Sequence, residues 1–281
     1  MDDDPRERPD RGADARDDSP AEADDEWSAL AAGWAARWGQ VSAPARRALL
    51  TACAVAPGTR VLDVGCGSGE FLPELTAVGA RAIGIDSSPA MVALAVRHGQ
   101  ARRADVAALP FADDTFDVVT AVTVLHLTDD LAAAVRECAR VLRPGGLLGI
   151  AEWGDTGPND VAIIERALDA ALDPDAVRDA GTSEADPQTR ATTESGAPPH
   201  PSALDLALRA AGFRPVADGQ VEVTVRAADV GELAATVLLG EDEATIDELS
   251  PVISEAAEPF RQPDGYYLLH NTFRWRVVAA D

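Results

Sequence analysis

The chain has 281 residues and a formal charge of −24 at neutral pH, with every Lys/Arg position an arginine and no lysine anywhere. That length suffices for one large domain or two small ones, and a hydrophobic share of 46% is spread without any run of about 18 apolar residues able to span a bilayer. So acidic a surface repels phosphodiester backbones, which sets nucleic acid aside as an expected partner; a salt-adapted acidic proteome or an arginine-favouring, GC-rich genome would explain the bias without any function.

The opening, MDDDPRERPDRGADARDDSPAEADDE, mixes acids and arginines with Pro, Gly and Ala and lacks the basic and apolar regions of a secretory signal. We expect a disordered acidic tail over residues 1–26. Cys53, Cys66 and Cys138 are an odd number with no C-x-x-C pair, which fits a reducing, cytoplasmic location. From Trp27 the residues Trp27, Leu30, Trp34 and Trp38 fall at helical spacing, predicting a helical cap over 27–57. Its aromatic stripe either packs on the core or closes as a lid over a flat ligand.

After APGT, strands and helices alternate: RVLDV, GEFLPELTAVG, ARAIGID, SPAMVALAVRHG, ARRAD, FDVVTAV, DDLAAAVRECARVLRPGG, LLGIAEW. Apolar strands alternating with helices predict an α/β core over 58–155, a doubly wound and mostly parallel sheet covered on both faces. The segment 156–203 reads as a helix followed by a polar, mobile insertion at about 174–199. In 204–281 a helix precedes RPVADGQVEVTVR, a strand expected to break near Asp218 and Gly219. Two further helices and a final strand in GYYLLHNTFRWRVVAAD complete the sheet.

Gly65-Cys66-Gly67-Ser68-Gly69 sits between the first strand and its helix. A dinucleotide fingerprint needs G-x-G-x-x-G; here Glu70 occupies the last position, where its carboxylate opposes a pyrophosphate at the helix start. A P-loop is excluded because no G-K-[ST] follows. What remains is a ligand without phosphates that still needs close backbone contact. Asp86 ends the second strand about 20 residues on, placed to accept from ribose hydroxyls. Asp105, after the third strand, is placed to accept from an exocyclic amine. Asp63, inside the first strand, would need a compensating donor or cation. A nucleoside with a cationic, amine-bearing tail satisfies all three.

These segments resemble the class I S-adenosylmethionine-dependent methyltransferases: VLDVGCGSGEF their first motif, AIGIDSSPAMV the second, ADVAALPFADDTFDVVTA the third and fourth, and VLRPGGLLGIAEW the turn and strand that follow. The likeness is close over about Arg60–Trp153. It implies a seven-stranded Rossmann-like fold with helical lid elements and S-adenosylmethionine as cofactor. It further implies that Asp63, Gly65 and Gly67 hold the methionyl end, Asp86 the ribose, Met91 a face of the adenine, and Asp105 with Val106 the adenine edge. A carbonyl at Thr120 or Ala121 would meet the methionyl amine. GWAARWGQVSAPARRALL and NTFRWRVV are similar to the subgroup of small-molecule methyltransferases like the ubiquinone and menaquinone biosynthesis enzymes. That subgroup implies an O-, C- or N-nucleophile as acceptor, aromatic or quinol-like, beneath a lid that includes Trp34 and Trp38. The long polar stretch departs from its compact members.

A sulfonium is already an activated electrophile, so the protein's task is alignment and exclusion of water. For an acceptor that must lose a proton, His126 in VTVLHLTDD is the candidate base, or else a pocket-lining or helix-start residue. Glu152, at the end of the fifth strand, either orients the acceptor or pairs with an arginine near the lid. His98, His200 and His270 receive no role, and the four histidines lack metal-ligand spacing. The alternative function is a protein that binds S-adenosylmethionine without catalysis or uses it for another reaction, such as a decarboxylation or cyclisation.

Overall fold

A computed structural model of the chain describes residues 26–154, 156–172 and 201–281. The expected acidic tail, apart from Glu26, and the polar stretch 174–199 lie outside the described residues. Strands β1 (Arg60–Val64), β2 (Arg81–Asp86), β3 (Ala101–Arg103), β4 (Phe116–Val122), β5 (Leu142–Trp153), β6 (Arg214–Ala227) and β7 (Tyr267–Ala279) form one seven-stranded sheet in the order β3-β2-β1-β4-β5-β7-β6. β1 to β5 pair in parallel, and β7 runs antiparallel to both of its neighbours, β5 and β6. Chain order reverses direction across β1 and β4, which opens a crevice at the carboxyl ends of those strands, the place where open α/β sheets bind ligands.

The apolar composition of β1 follows from burial on both faces, because successive side chains point to opposite sides of a sheet. Val61 packs on one face with Leu49, Phe71, Leu75, Val118 and Phe273. Leu62 and Val64 pack on the other with Val119, Leu148, Ile150, Val135 and Leu208. Burying side chains of this size contributes about 1.5–3 kcal/mol each. Helices α1 (Glu26–Arg37) and α2 (Ala43–Ala52) precede the sheet. The crossovers carry α3 (Phe71–Ala77), α4 (Pro89–Ala95) and α5 (Leu131–Val141). α6 (Asp160–Leu172) is docked on β7 through the buried Asn271, whose Oδ1 accepts from Val161 N–H at 3.0 Å. α7 (Ala203–Ala210), α8 (Val230–Val237) and α9 (Glu243–Ala257) complete the set of described α-helices.

Two expected elements are corrected. The helix expected through RPGG stops at Val141, and Leu142 is already extended and paired with Phe116. A residue before proline is pushed out of the helical region; here that is Arg143, which ion-pairs with Asp117 at 2.7 Å. Gly145, at φ +72°, then donates its N–H to Ala280. The break expected near Asp218 and Gly219 is absent, and β6 runs unbroken from Arg214 to Ala227 with its irregularity at Pro215–Ala217. Gly219 marks a close packing contact: a Cβ there would lie 2.6 Å from the Trp275 ring across the strand pair.

Candidate functional site

A cavity of about 380 Å³ lies at the carboxyl ends of β1, β2 and β4, floored by the glycine loop. All three loop glycines adopt left-handed φ, at +61°, +54° and +90° for Gly65, Gly67 and Gly69. Two are closed off by the protein itself. A side chain on Gly65 would run into Val124, and one on Gly69 would come within 2.7 Å of the Ala95 backbone. Gly67 differs, because its added Cβ would meet nothing nearer than Trp34 Nε1 at 3.5 Å. The first and third glycines serve the fold, and the second opens the backbone onto the cavity.

Carboxylates dominate the lining: Asp63, Glu70, Asp86, Asp105, Asp129 and Asp130, against the single cation Arg46. Asp86 at the end of β2 accepts from Gly67 N–H at 2.9 Å and Ser88 N–H at 3.0 Å, which fixes its rotamer and ties β2 to the loop. Asp63 is buried in β1 and accepts from Thr120 Oγ1 at 2.7 Å. Burial pushes its carboxyl up to about 7; Thr120 and Arg46 pull it down, while Glu70 and Asp86 push further up. Asp105 is exposed and accepts from Ala107 N–H at 2.8 Å, whereas Val106 beside it is buried. Met91 is buried on α4, one turn beyond the capping hydroxyl of Ser88. Glu70 accepts from Ser68 Oγ and also lines the cavity.

α1 lies over the loop. Trp27 and Trp34 line the cavity, and Ser28 Oγ meets Ser88 Oγ at 2.9 Å, joining α1 to the cap of α4. Trp38 is not among the lining residues; it stacks behind Trp34 with ring centroids 6.4 Å apart and donates its indole N–H to Thr236 O at 2.9 Å. Arg46 is 3% exposed and uses all five of its N–H groups, on Glu74, Gly39 O, Ser42 Oγ and Gln40 Oε1. It thereby fastens the α1–α2 connection over the glycine loop.

The cavity brings together Asp63, Gly65, Gly67, Asp86, Met91, Asp105, Val106 and Trp34, and leaves four other expected residues outside its lining. Ala121 is buried in β4 between Val64 and Ile150, and its neighbours Val122 and Thr123 face the cavity instead. His126 is exposed on the 3-10 turn Leu125–Leu127, its ring held below the ordinary histidine range by the surrounding protein against the pull of Glu152. Glu152 accepts from Arg276 at 3.0 Å, and the same guanidinium reaches Asp205 at 2.7 Å, so this carboxylate is engaged with an arginine on β7. Trp38 completes the four.

Sequence reasoning missed Arg46 and Thr123. An arginine within an apolar helix is a weak hint for the first. Nothing in the sequence marks Thr123, a β-branched residue at φ +53° that is held by its N–H to Ala151 O at 2.8 Å. Among the described residues no group of three or more His, Cys, Asp or Glu is arranged to hold a metal ion, and no helix is long and apolar enough to cross a membrane.

Sheet order, the antiparallel β7 and the glycine loop at the switch point together define a class I methyltransferase fold. Solved structures with this fold include the [4+2]-cyclase SpnF, at 18% identity and a TM-score of 0.52 over 86% of this chain and 83% of that one. Another is a putative methyltransferase from Bacillus halodurans C-125, at 17% identity and a TM-score of 0.52 over 84% and 98%. Residues 62–150 match the methyltransferase domain family. An uncharacterized protein of Mycobacterium tuberculosis is 39% identical over 121 residues, 41% of this chain and 44% of the relative. The demethylmenaquinone methyltransferase of Mycobacterium marinum is 41% identical over 109 residues, 38% of this chain and 47% of the relative. These matches thus span less than half the length of the curated relatives.

Proposed function

We propose that the chain is an S-adenosylmethionine-dependent methyltransferase acting on a small-molecule acceptor, an O-, C- or N-nucleophile of aromatic or quinol-like character. The observation that carries this reading is the pairing of the open Gly67 backbone with the fixed Asp86 carboxylate inside a carboxylate-lined cavity. Such a lining suits a ligand with positive charge and ribose hydroxyls. An ionised carboxylate is an acceptor with about four lone-pair sites, the chemistry a pair of ribose hydroxyls calls for. Asp63 and the loop backbone would hold the amino-acid arm, Met91 a face of the adenine, and Asp105 with Val106 its edge, Asp105 meeting the exocyclic amine. The cofactor supplies an electrophilic methyl group when bound. The remaining work falls to α1, which excludes water, and to the walls formed by Val122, Thr123, Leu127 and Thr128, which orient the acceptor.

His126 is the candidate base for acceptors that must lose a proton: it directly precedes the lining residue Leu127, and burial of the ring by its surroundings lowers its pKa, which favours the neutral, proton-accepting form. The match to a demethylmenaquinone methyltransferase supports a quinol-like acceptor. Calorimetry with Asp86→Ala tests the cofactor assignment. Losing two charge-assisted hydrogen bonds should weaken S-adenosylmethionine by about 2–4 kcal/mol, roughly thirty-fold or more; unchanged affinity removes it. A labelled methyl-transfer screen against phenols, quinols and amines, with tRNA as control, tests the acceptor class.

A second reading, in which the cofactor is bound but not consumed, is favoured by the lining itself. Among the described lining residues the titratable side chains are carboxylates, Arg46 and a cysteine, Cys66, whose thiol burial pushes far up. Such a cavity can orient a substrate without a histidine, tyrosine or lysine base at hand. Formation of S-adenosylhomocysteine together with a methylated acceptor decides for methyl transfer.

A further inference from the structure

Trp34 presents a donor that the fold leaves unused. Its indole nitrogen is the one atom within 4 Å of the position a Cβ on Gly67 would take, at 3.5 Å, so it overhangs the open point of the glycine loop. The ring is firmly placed, stacked on Trp38, which is itself anchored to Thr236 O and set edge-on to Trp153. Among the described residues no acceptor lies within hydrogen-bond reach of this N–H, although indole nitrogens near the interior usually find one. Several of the donors around it are committed. Gly67 N–H goes to Asp86, Cys66 N–H to Ile85 O, Gly69 N–H to Cys66 O, and all five N–H groups of Arg46 to partners within the protein.

A ligand carrying a carboxylate into this cavity meets six carboxylic side chains and one fully engaged guanidinium. Its negative group must find a donor that is not already bonded. We propose that the Trp34 indole N–H receives the α-carboxylate of the cofactor's amino-acid arm, which makes α1 part of the cofactor site as well as a cover for the acceptor. An indole N–H only donates, so it discriminates an anion from the ammonium on the same carbon, which Asp63 attracts. This inference rests on the S-adenosylmethionine reading and deepens it.

The test compares ligands that differ only in the carboxylate. Calorimetry would measure S-adenosylhomocysteine and its decarboxylated analogue, which keeps the ammonium, on the full chain and on Trp34→Phe. A hydrogen bond to a charged acceptor predicts that the substitution weakens S-adenosylhomocysteine about ten- to a hundred-fold and leaves the decarboxylated analogue unchanged. Equal losses for both ligands would make Trp34 a packing residue, and no loss for either would remove it from the site; each overturns the proposal. Incorporation of benzothienylalanine at position 34, which keeps the bicycle and replaces N–H by sulfur, repeats the measurement without a change of shape. If the unaltered chain binds neither ligand, the cofactor reading itself fails, an outcome distinct from a selective or non-selective effect of the substitution.

Discussion

Asp63 holds a buried carboxyl at the cavity wall, with Thr120 as its hydrogen-bond donor and Arg46, Glu70 and Asp86 as its charged surroundings. An unfolded aspartate titrates near 3.9, and the native group near 7. Between those values the native state keeps a proton that the unfolded state has lost, so this group's contribution makes stability fall as pH rises from about 4 to about 7 and then level off. Asp63→Asn should flatten that slope, as read by denaturant unfolding at about pH 5 and about pH 8; an unaltered slope would assign it to other groups. A cationic ligand should also draw the proton off. Calorimetry in buffers of different ionisation enthalpy is expected to show proton release on binding near neutral pH, and none in the Asn variant.

At the scale of elements, the cover over the cavity depends on one buried residue. Arg46 grips the Gly39 carbonyl and Glu74 together, and Glu74 Oε2 has no hydrogen-bond partner among the described residues. Arg46→Met strands that carboxylate and frees the connection, so we expect a loss of about 3–5 kcal/mol in stability and faster hydrogen exchange in α1 and α2 than in the β1–β4 strands. Uniform acceleration throughout would mean that α1 is not a separate unit. The strand and helix alternation up to Trp153 was legible in the sequence because each strand is short, apolar and bounded by turn residues. The α5–β5 junction was not, since RPGG reads as a helix stop whether the helix ends before or after it, and pairing of Leu142 with Phe116 is a long-range matter. Gly219 likewise looks like a breaker until Trp275 is seen lying across it. In the site, the residues expected around the glycine loop could be placed at the cavity because they follow strand ends directly. Trp38 and Trp34 share one helical stripe, yet only packing against Trp153 and Thr236 separates the residue behind the wall from the one that forms it. Glu152 met an arginine 124 positions away, a partner that no local pattern could single out.

For the whole molecule, a charge of −24 makes self-repulsion a global term opposing compaction. Ion pairs such as Arg60–Asp117 and Arg214–Asp281 offset it only locally, and the second is exposed enough to contribute little. Salt shortens the Debye length from about 10 Å at 0.1 M to about 3 Å at 1 M, so the melting temperature should rise over that range. A fall would show that specific ion pairs outweigh the net charge.

The tryptophans of α1 and β5 have an optical consequence as well. Trp27, Trp34, Trp38 and Trp153 stand in line with centroids 5.5, 6.4 and 6.1 Å apart, close enough for excitation to pass from ring to ring before it is emitted. Light absorbed at Trp153, which does not line the cavity, can therefore be lost at Trp34, where a bound purine would quench it. Four of the five indoles in the chain would then dim together when a ligand enters. Trp38→Phe would divide this antenna in two and confine the dimming to the pair at the cavity.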